Sequence, residues 1–216
     1  MAKAITFLHR HGASKRLEAL TDGVFAIVAT LLVLDIRVPE LENGMGNSAL
    51  LQSLKKITPS FISFVFSFLN IMIFWMNHDA ISKVTRYFTR QITYLNTIFL
   101  LFICLVPFTS RLISEYPDSF IAISLYGILL MICSILAVSM YWHIAFGSNM
   151  MKKEVSLHMR RKLWKRIIWG PFLFLFAVLA GIFQVYIPVI IYILTPIVFL
   201  FLPGLDLNEI SDTETA

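Results

Sequence analysis

The chain has 216 residues, of which 58% are apolar and 14% charged, and its mean hydropathy is +0.78. Soluble domains carry about a quarter charged residues, so this composition excludes a soluble enzyme or adaptor and marks an integral membrane protein. The net charge of +5 does not indicate nucleic acid, because the bases sit in short segments between apolar runs.

Six apolar runs are long enough, or nearly so, to cross the bilayer, a distance that takes about 20 helical residues. They lie near 17–38, 57–77, 91–111, 120–146, 167–185 and 187–203. The first is followed by a polar loop over 40–52. The second has Pro59 in its first turn, where a missing N–H does least harm. The third carries Asn96 near its start and Pro107 near its end. The fourth is apolar from Phe120 to Met140, with Trp142 and His143 closing it. The fifth and sixth form a hairpin through a tight turn around Tyr186–Pro188, and Pro196 bends the last run, which packing neighbours can accommodate. Cys104 and Cys133 lie inside apolar runs, which argues against a disulfide framework or metal cluster. No removable signal peptide is evident.

An even number of spans puts both termini on one side. That side collects 14 of the 18 Lys and Arg residues, so both ends are expected in the cytoplasm. The expected organisation is a transmembrane domain over 1–205 and a short acidic tail over 206–216.

The first run, RLEALTDGVFAIVATLLVLDIRVP, is the informative one. It has an acid near each end, Asp22 and Asp35, and one hydroxyl, Thr30, between them. An acid inside an otherwise apolar helix is a functional-site candidate. At 100° per residue, Leu20, Gly23, Thr30, Leu31, Leu34 and Val38 fall within about 60° of Ile27, whereas Asp22 projects roughly 140° away beside Ala26, Ala29 and Val33. The aliphatic face either meets lipid or lines a path, and periodicity alone does not choose. Topology brings Trp75, Asn77, His78 and Asn96 to the end of the membrane where Asp22 lies. An Asp22–His78 pair could relay protons or be a satisfied structural hydrogen bond. No phosphate loop, nucleophile elbow or zinc motif appears, and His143 and His158 lack a metal-ligand partner at helical spacing.

At these residues the sequence resembles the bacterial members of the transmembrane protein 175 family, the lysosomal-type potassium channels. That family opens its first helix with Arg, three residues, then Phe-Ser-Asp. Arg16 and Asp22 match, Thr21 keeps the hydroxyl of Ser, and Leu20 replaces Phe. The resemblance continues in FWMNH, Phe74–His78, and in YLNTIFLLFICLVPFTS, Tyr94–Ser110. It implies an all-α fold of six transmembrane helices per subunit, with the first helix lining the central pore of a homotetramer. It further implies a hydrophobic constriction at Ile27, Leu31 and Leu34, and a hydroxyl layer at Thr30 linked to potassium preference. A polar network of Arg16, Thr21, Asp22, His78 and Asn96 would hold the helix. The helical projection places Arg16 on the Ile27 face instead, so on that residue the two readings part.

The expectation is a potassium-preferring cation channel in the plasma membrane, passive, cofactor-free and not an enzyme, whose ligands are monovalent cations and lipid. The alternative is a proton-coupled secondary transporter using Asp22 and His78. A membrane enzyme with His78 and Asp79 as acid–base groups lacks any nucleophile or metal constellation.

Overall fold

The computed structural model describes residues 2–38, 46–147 and 150–201, with side chains described within 14–199. In chain order the helices are α1 (Ala2–Leu31), a 3₁₀ turn (Leu32–Asp35), α2 (Asn47–Lys56) and α3 (Thr58–Val84). They continue with α4 (Arg90–Ile103), α5 (Val106–Glu115), α6 (Phe120–Phe146), α7 (Leu157–Ala180) and α8 (Tyr186–Phe201). Beside these the described residues hold one isolated bridge, Thr85 to Met151.

Five stretches are long and apolar enough to span a membrane: Ser14–Asp35, Thr58–Val84, Arg90–Glu115, Phe120–Phe146 and Leu157–Ala180. The sixth expected run gives α8, whose 16 described residues reach about 24 Å at 1.5 Å per residue.

Local chemistry accounts for the boundaries. Thr89, Ser119 and Ser156 cap α4, α6 and α7, each hydroxyl accepting from a backbone N–H three residues on. Pro59 sits in the first turn of α3. Pro107 has no N–H to offer the carbonyl of Ile103, four residues back, and α4 ends at that residue. The expected single run 91–111 is therefore two helices joined at Cys104–Leu105, with Pro107 in the first turn of α5.

Other boundaries also differ from expectation. The second span does not stop at 77 but continues to Val84, so His78 lies well inside the helix. The polar loop expected over 40–52 already becomes α2 at Asn47. The fifth span begins ten residues before 167, because Ser156 caps a helix whose first turns are basic. It ends at Ala180, and the turn to α8 is Gly181–Val185, while Tyr186–Pro188 form the first turn of α8. The tail 206–216, and the boundary set at 205, lie outside the described residues.

The buried centre is α6, which packs on α7, α4, α5, α8 and α3. Tyr126, Leu130 and Cys133 of α6 are fully enclosed. The ring of Tyr126 meets Phe66 of α3 edge-on at 5.5 Å and Tyr192 of α8 at 5.2 Å. Tyr192 in turn donates its hydroxyl to the carbonyl of Ile123, 3.2 Å away. Gly127 makes that approach possible: an added Cβ would overlap the Tyr192 hydroxyl and come within 2.7 Å of Val178.

Pro196 lies inside α8 and leaves the carbonyl of Tyr192 without its helical donor. Asn70 of α3, buried at 2% exposure, supplies the replacement: its Nδ2 donates to that carbonyl at 3.0 Å. In hydrocarbon, freed backbone groups must find such a partner within the protein. Farther along α3, Ser63 and Ser67 bond Ser110 of α5 at 2.8–3.0 Å, and Ser60 meets Ser114 at 2.6 Å. Small hydroxyl residues of this kind allow helices to approach closely.

Candidate functional site

Helix α1 and the 3₁₀ turn that continues it have two faces. Thr21, Phe25, Val28, Ala29 and Leu32 are buried against α3, α4 and α5. Phe25 packs against Phe99 of α4, ring centroids 6.0 Å apart. The opposite face carries Arg16, Leu20, Gly23, Ile27, Thr30, Leu31 and Leu34, all exposed in the subunit. Ile27 is 60% exposed and Leu34 70%, values that on a core-packed helix would be near zero. These positions recur every three or four residues and form one stripe along the helix.

The small-residue back expected around Ala26, Ala29 and Val33 divides: Ala29 is buried, whereas Ala26 and Val33 are exposed. The packed sector is centred on Phe25, Val28 and Leu32. Thr30 donates its hydroxyl proton to the carbonyl of its own helix at Ile27, 2.8 Å away. Its oxygen lone pairs are therefore left to the exposed side.

A run of polar ties lies below the stripe, towards the N-terminus. Ser14 accepts from the backbone N–H of Phe88 at 3.0 Å, and Glu18 accepts from the hydroxyl of Ser82. Asp22 accepts from the indole N–H of Trp75 at 2.9 Å. Thr21, fully buried, accepts from Asn96 Nδ2 at 2.9 Å and donates to the carbonyl of Leu17 at 2.9 Å. Asn96 Oδ1 faces His78 Nε2 at 2.9 Å.

The direction of this chain follows from proton counting. Thr21 has one proton and gives it to Leu17, so Asn96 must present its NH₂ to Thr21 and its oxygen to His78. His78 Nε2 is then the donor, which sets the tautomer of a neutral ring. The imidazole also stacks on Phe99 at 6.1 Å with planes 8° apart. Four ties thus hold residues 14–22 of α1 by hydrogen bonds, while the helix beyond Gly23 is held by apolar packing.

The structure brings together Thr21, Asn96 and His78. It does not join Asp22 to His78, a pair that the sequence left open: the acid accepts from Trp75 and His78 faces Asn96. Asp22 and Thr21 are neighbours only 100° apart on the helix, and α3 and α4 receive one each. Arg16 stands exposed on the Ile27 face, away from the Thr21–Asn96–His78 chain, and α1 starts at Ala2 rather than just after this residue. Asp79 pairs with Lys83 at 2.6 Å on the surface. Ser14, Glu18 and Ser82 were missed in the sequence; the signal was a polar row Ser14, Glu18, Thr21 at helical spacing. Among the described residues no group of three or more His, Cys, Asp or Glu comes together as a metal site.

Comparison with known proteins fits this geometry. Residues 16–107, which include the stripe and three of the four ties, match the family described as endosomal/lysosomal potassium channel TMEM175. A potassium channel from Chamaesiphon minutus is 31% identical over 177 residues, covering 81% of this chain and 87% of that protein. A potassium channel from Streptomyces collinus is 33% identical over 147 residues, covering 66% and 70% respectively. The crystal structure of a lysosomal potassium-selective channel TMEM175 homologue from Chamaesiphon minutus superposes with a TM-score of 0.77 at 29% identity, covering 88% of this chain and 97% of that one. The all-helical membrane fold, the stripe on α1 and these relatives agree: the chain belongs to the TMEM175 family, whose members are membrane ion channels and not enzymes.

Proposed function

We propose that the chain is a passive, cofactor-free, potassium-preferring cation channel of the plasma membrane. Four copies surround a central path lined by α1, and both termini are cytoplasmic. The observation that carries this reading is the stripe Ile27, Thr30, Leu31 and Leu34, left unpacked by the subunit while the opposite face of α1 is buried. A lipid-facing helix would also expose apolar residues. Four polar ties fixing the rotation of α1 below the stripe favour a face whose orientation matters.

In this reading four Ile27 side chains form a narrow apolar ring that gates by width and dewetting, with Leu31 and Leu34 as further layers. Thr30 offers oxygen lone pairs and no free proton, which suits partial dehydration of a cation and not of an anion. Such a filter discriminates less than a cage of carbonyls. Thr21, Asp22, His78 and Asn96 hold the helix, and the acid is not a carrier. The proton-coupled transporter loses support, since its two proposed carriers bond different partners.

The test is flux of potassium and sodium into liposomes containing the purified protein, with Ile27→Ala beside the wild type. The expected result is a larger flux and a lower preference for potassium over sodium. Unchanged flux and preference would remove Ile27 from the constriction.

A further inference from the structure

Between the last turns of α6 and the first turns of α7 lies a cleft of about 250 Å³, lined by Tyr141, Phe146, Leu157, Arg160, Arg161 and Trp164. It lies outside the region of the α1 stripe. The cleft sits at the end of the subunit where α3 meets the α6–α7 connection, since Arg86 N–H donates to the Met150 carbonyl and Lys152 N–H to Val84. Basic residues gather at that end, and between Lys152 and Arg166 seven Lys and Arg stand against one acid, Glu154.

The polar side of the cleft is built. Tyr141 donates its hydroxyl to the backbone carbonyl of Arg160 at 2.8 Å, which fixes the helical turn carrying both arginines. The Nε–H of Arg160 is buried and has no hydrogen-bond acceptor. The positive end of the α7 dipole adds to the field, with no acid in the first turn of the helix to offset it. The other side is aromatic: Trp164 stacks on Tyr141 at 6.1 Å and meets Trp142 at 5.4 Å. Beside it Trp142, Phe146 and Leu157 are exposed on the surface of the subunit.

We propose that this cleft binds the phosphate headgroup of an anionic phospholipid. Two guanidiniums take phosphate oxygens in their planar fork, Arg160 Nε–H finding the acceptor it lacks. The glycerol backbone rests on Trp164, at the depth where indoles favour the membrane interface. An acyl chain runs over Phe146 and Leu157. A choline headgroup would also suit the aromatic wall, but its cation meets two guanidiniums there, so phosphatidylglycerol is the better fit.

The experiment uses the full chain, delipidated in uncharged detergent and titrated with short-chain phosphatidylglycerol or phosphatidylcholine, with bound lipid counted by native mass spectrometry. Phosphatidylglycerol is expected to bind roughly 30-fold more tightly, the effect of two basic contacts. Arg160→Gln with Arg161→Gln should abolish the preference, whereas Lys152→Gln with Lys153→Gln should leave it. Equal loss in the lysine pair would mean diffuse attraction and overturn the site. Inorganic phosphate that binds as tightly as the lipid and displaces it would overturn the assignment to lipid. If the glutamine pair does not fold, Arg160→Lys with Arg161→Lys keeps the charge and loses the fork. The preference should then fall, and an undiminished preference overturns the proposal.

Discussion

Replacing Asn70 by Ala removes the donor that serves the Tyr192 carbonyl, and the structure says how the cost should depend on Pro196. The carbonyl is short of a partner because residue 196 has no N–H, and Asn70 Nδ2 stands 3.0 Å from it. A buried carbonyl left unpaired costs about 1–3 kcal/mol, while interhelical side-chain bonds in membrane proteins average nearer 0.6 and reach about 1.7. Asn70→Ala should therefore lose about 1–2 kcal/mol, part of it from the space left behind. In a Pro196→Ala background the new amide can donate to Tyr192 within α8, so only the packing part of the Asn70→Ala cost and the lost bond to the Phe66 carbonyl remain, the same in both backgrounds. The packing part, and any change in helix propensity at 196, cancel in the double-mutant cycle. The expected coupling is about 1 kcal/mol, a fivefold difference in the unfolding equilibrium. Reversible unfolding of the four variants in mixed micelles measures it. Costs that add to within about 0.3 kcal/mol would refute the account of how α8 tolerates its proline.

Gly127→Ala places a methyl against the Tyr192 hydroxyl and Val178, and should destabilise the α6–α8 contact by about 1–3 kcal/mol. Adding Tyr192→Phe should recover part of that loss in the same unfolding assay, and no recovery would place the clash elsewhere. Thr21→Val leaves Asn96 Nδ2 buried without an acceptor and should cost about 1 kcal/mol. Thr21→Ser should be close to neutral in thermal unfolding, because it keeps both hydrogen bonds.

Much of the fold was legible from local rules. The limits of α6 agree with the apolar run 120–146, since Ser119 caps one end and the run turns polar at the other. The break between α4 and α5 was less visible, although it is consistent with Pro107: α4 ends at Ile103, four residues before the proline and not at it. The start of α7 was misplaced because hydropathy marks where a helix becomes apolar, whereas Ser156 marks where it begins. At the candidate site, His78 and Asn96 were recognisable as polar groups at the depth of Asp22, whereas Thr21 entered only through the family resemblance. Which of Thr21 and Asp22 faces Asn96 depends on how α1 crosses α3 and α4, and a single-helix projection does not contain that angle. Asn70 escaped notice for the same reason. The proline that needs it is visible in the sequence, but its partner lies 122 residues from Tyr192.

The unpacked stripe on α1 has a thermodynamic consequence. In water, a row such as Ile27, Leu31 and Leu34 would itself drive association, because each exposed side chain carries a hydrophobic penalty. In a bilayer the surrounding acyl chains are as apolar as leucine, and that penalty vanishes. A single subunit with this face turned to lipid is therefore a tolerable state, and assembly into the proposed tetramer would be a separate second stage, sensitive to subunit density and bilayer composition. Its free energy must come from close packing, hydrogen bonds between helices and the release of lipid, none of which is measured by the hydrophobicity of the stripe.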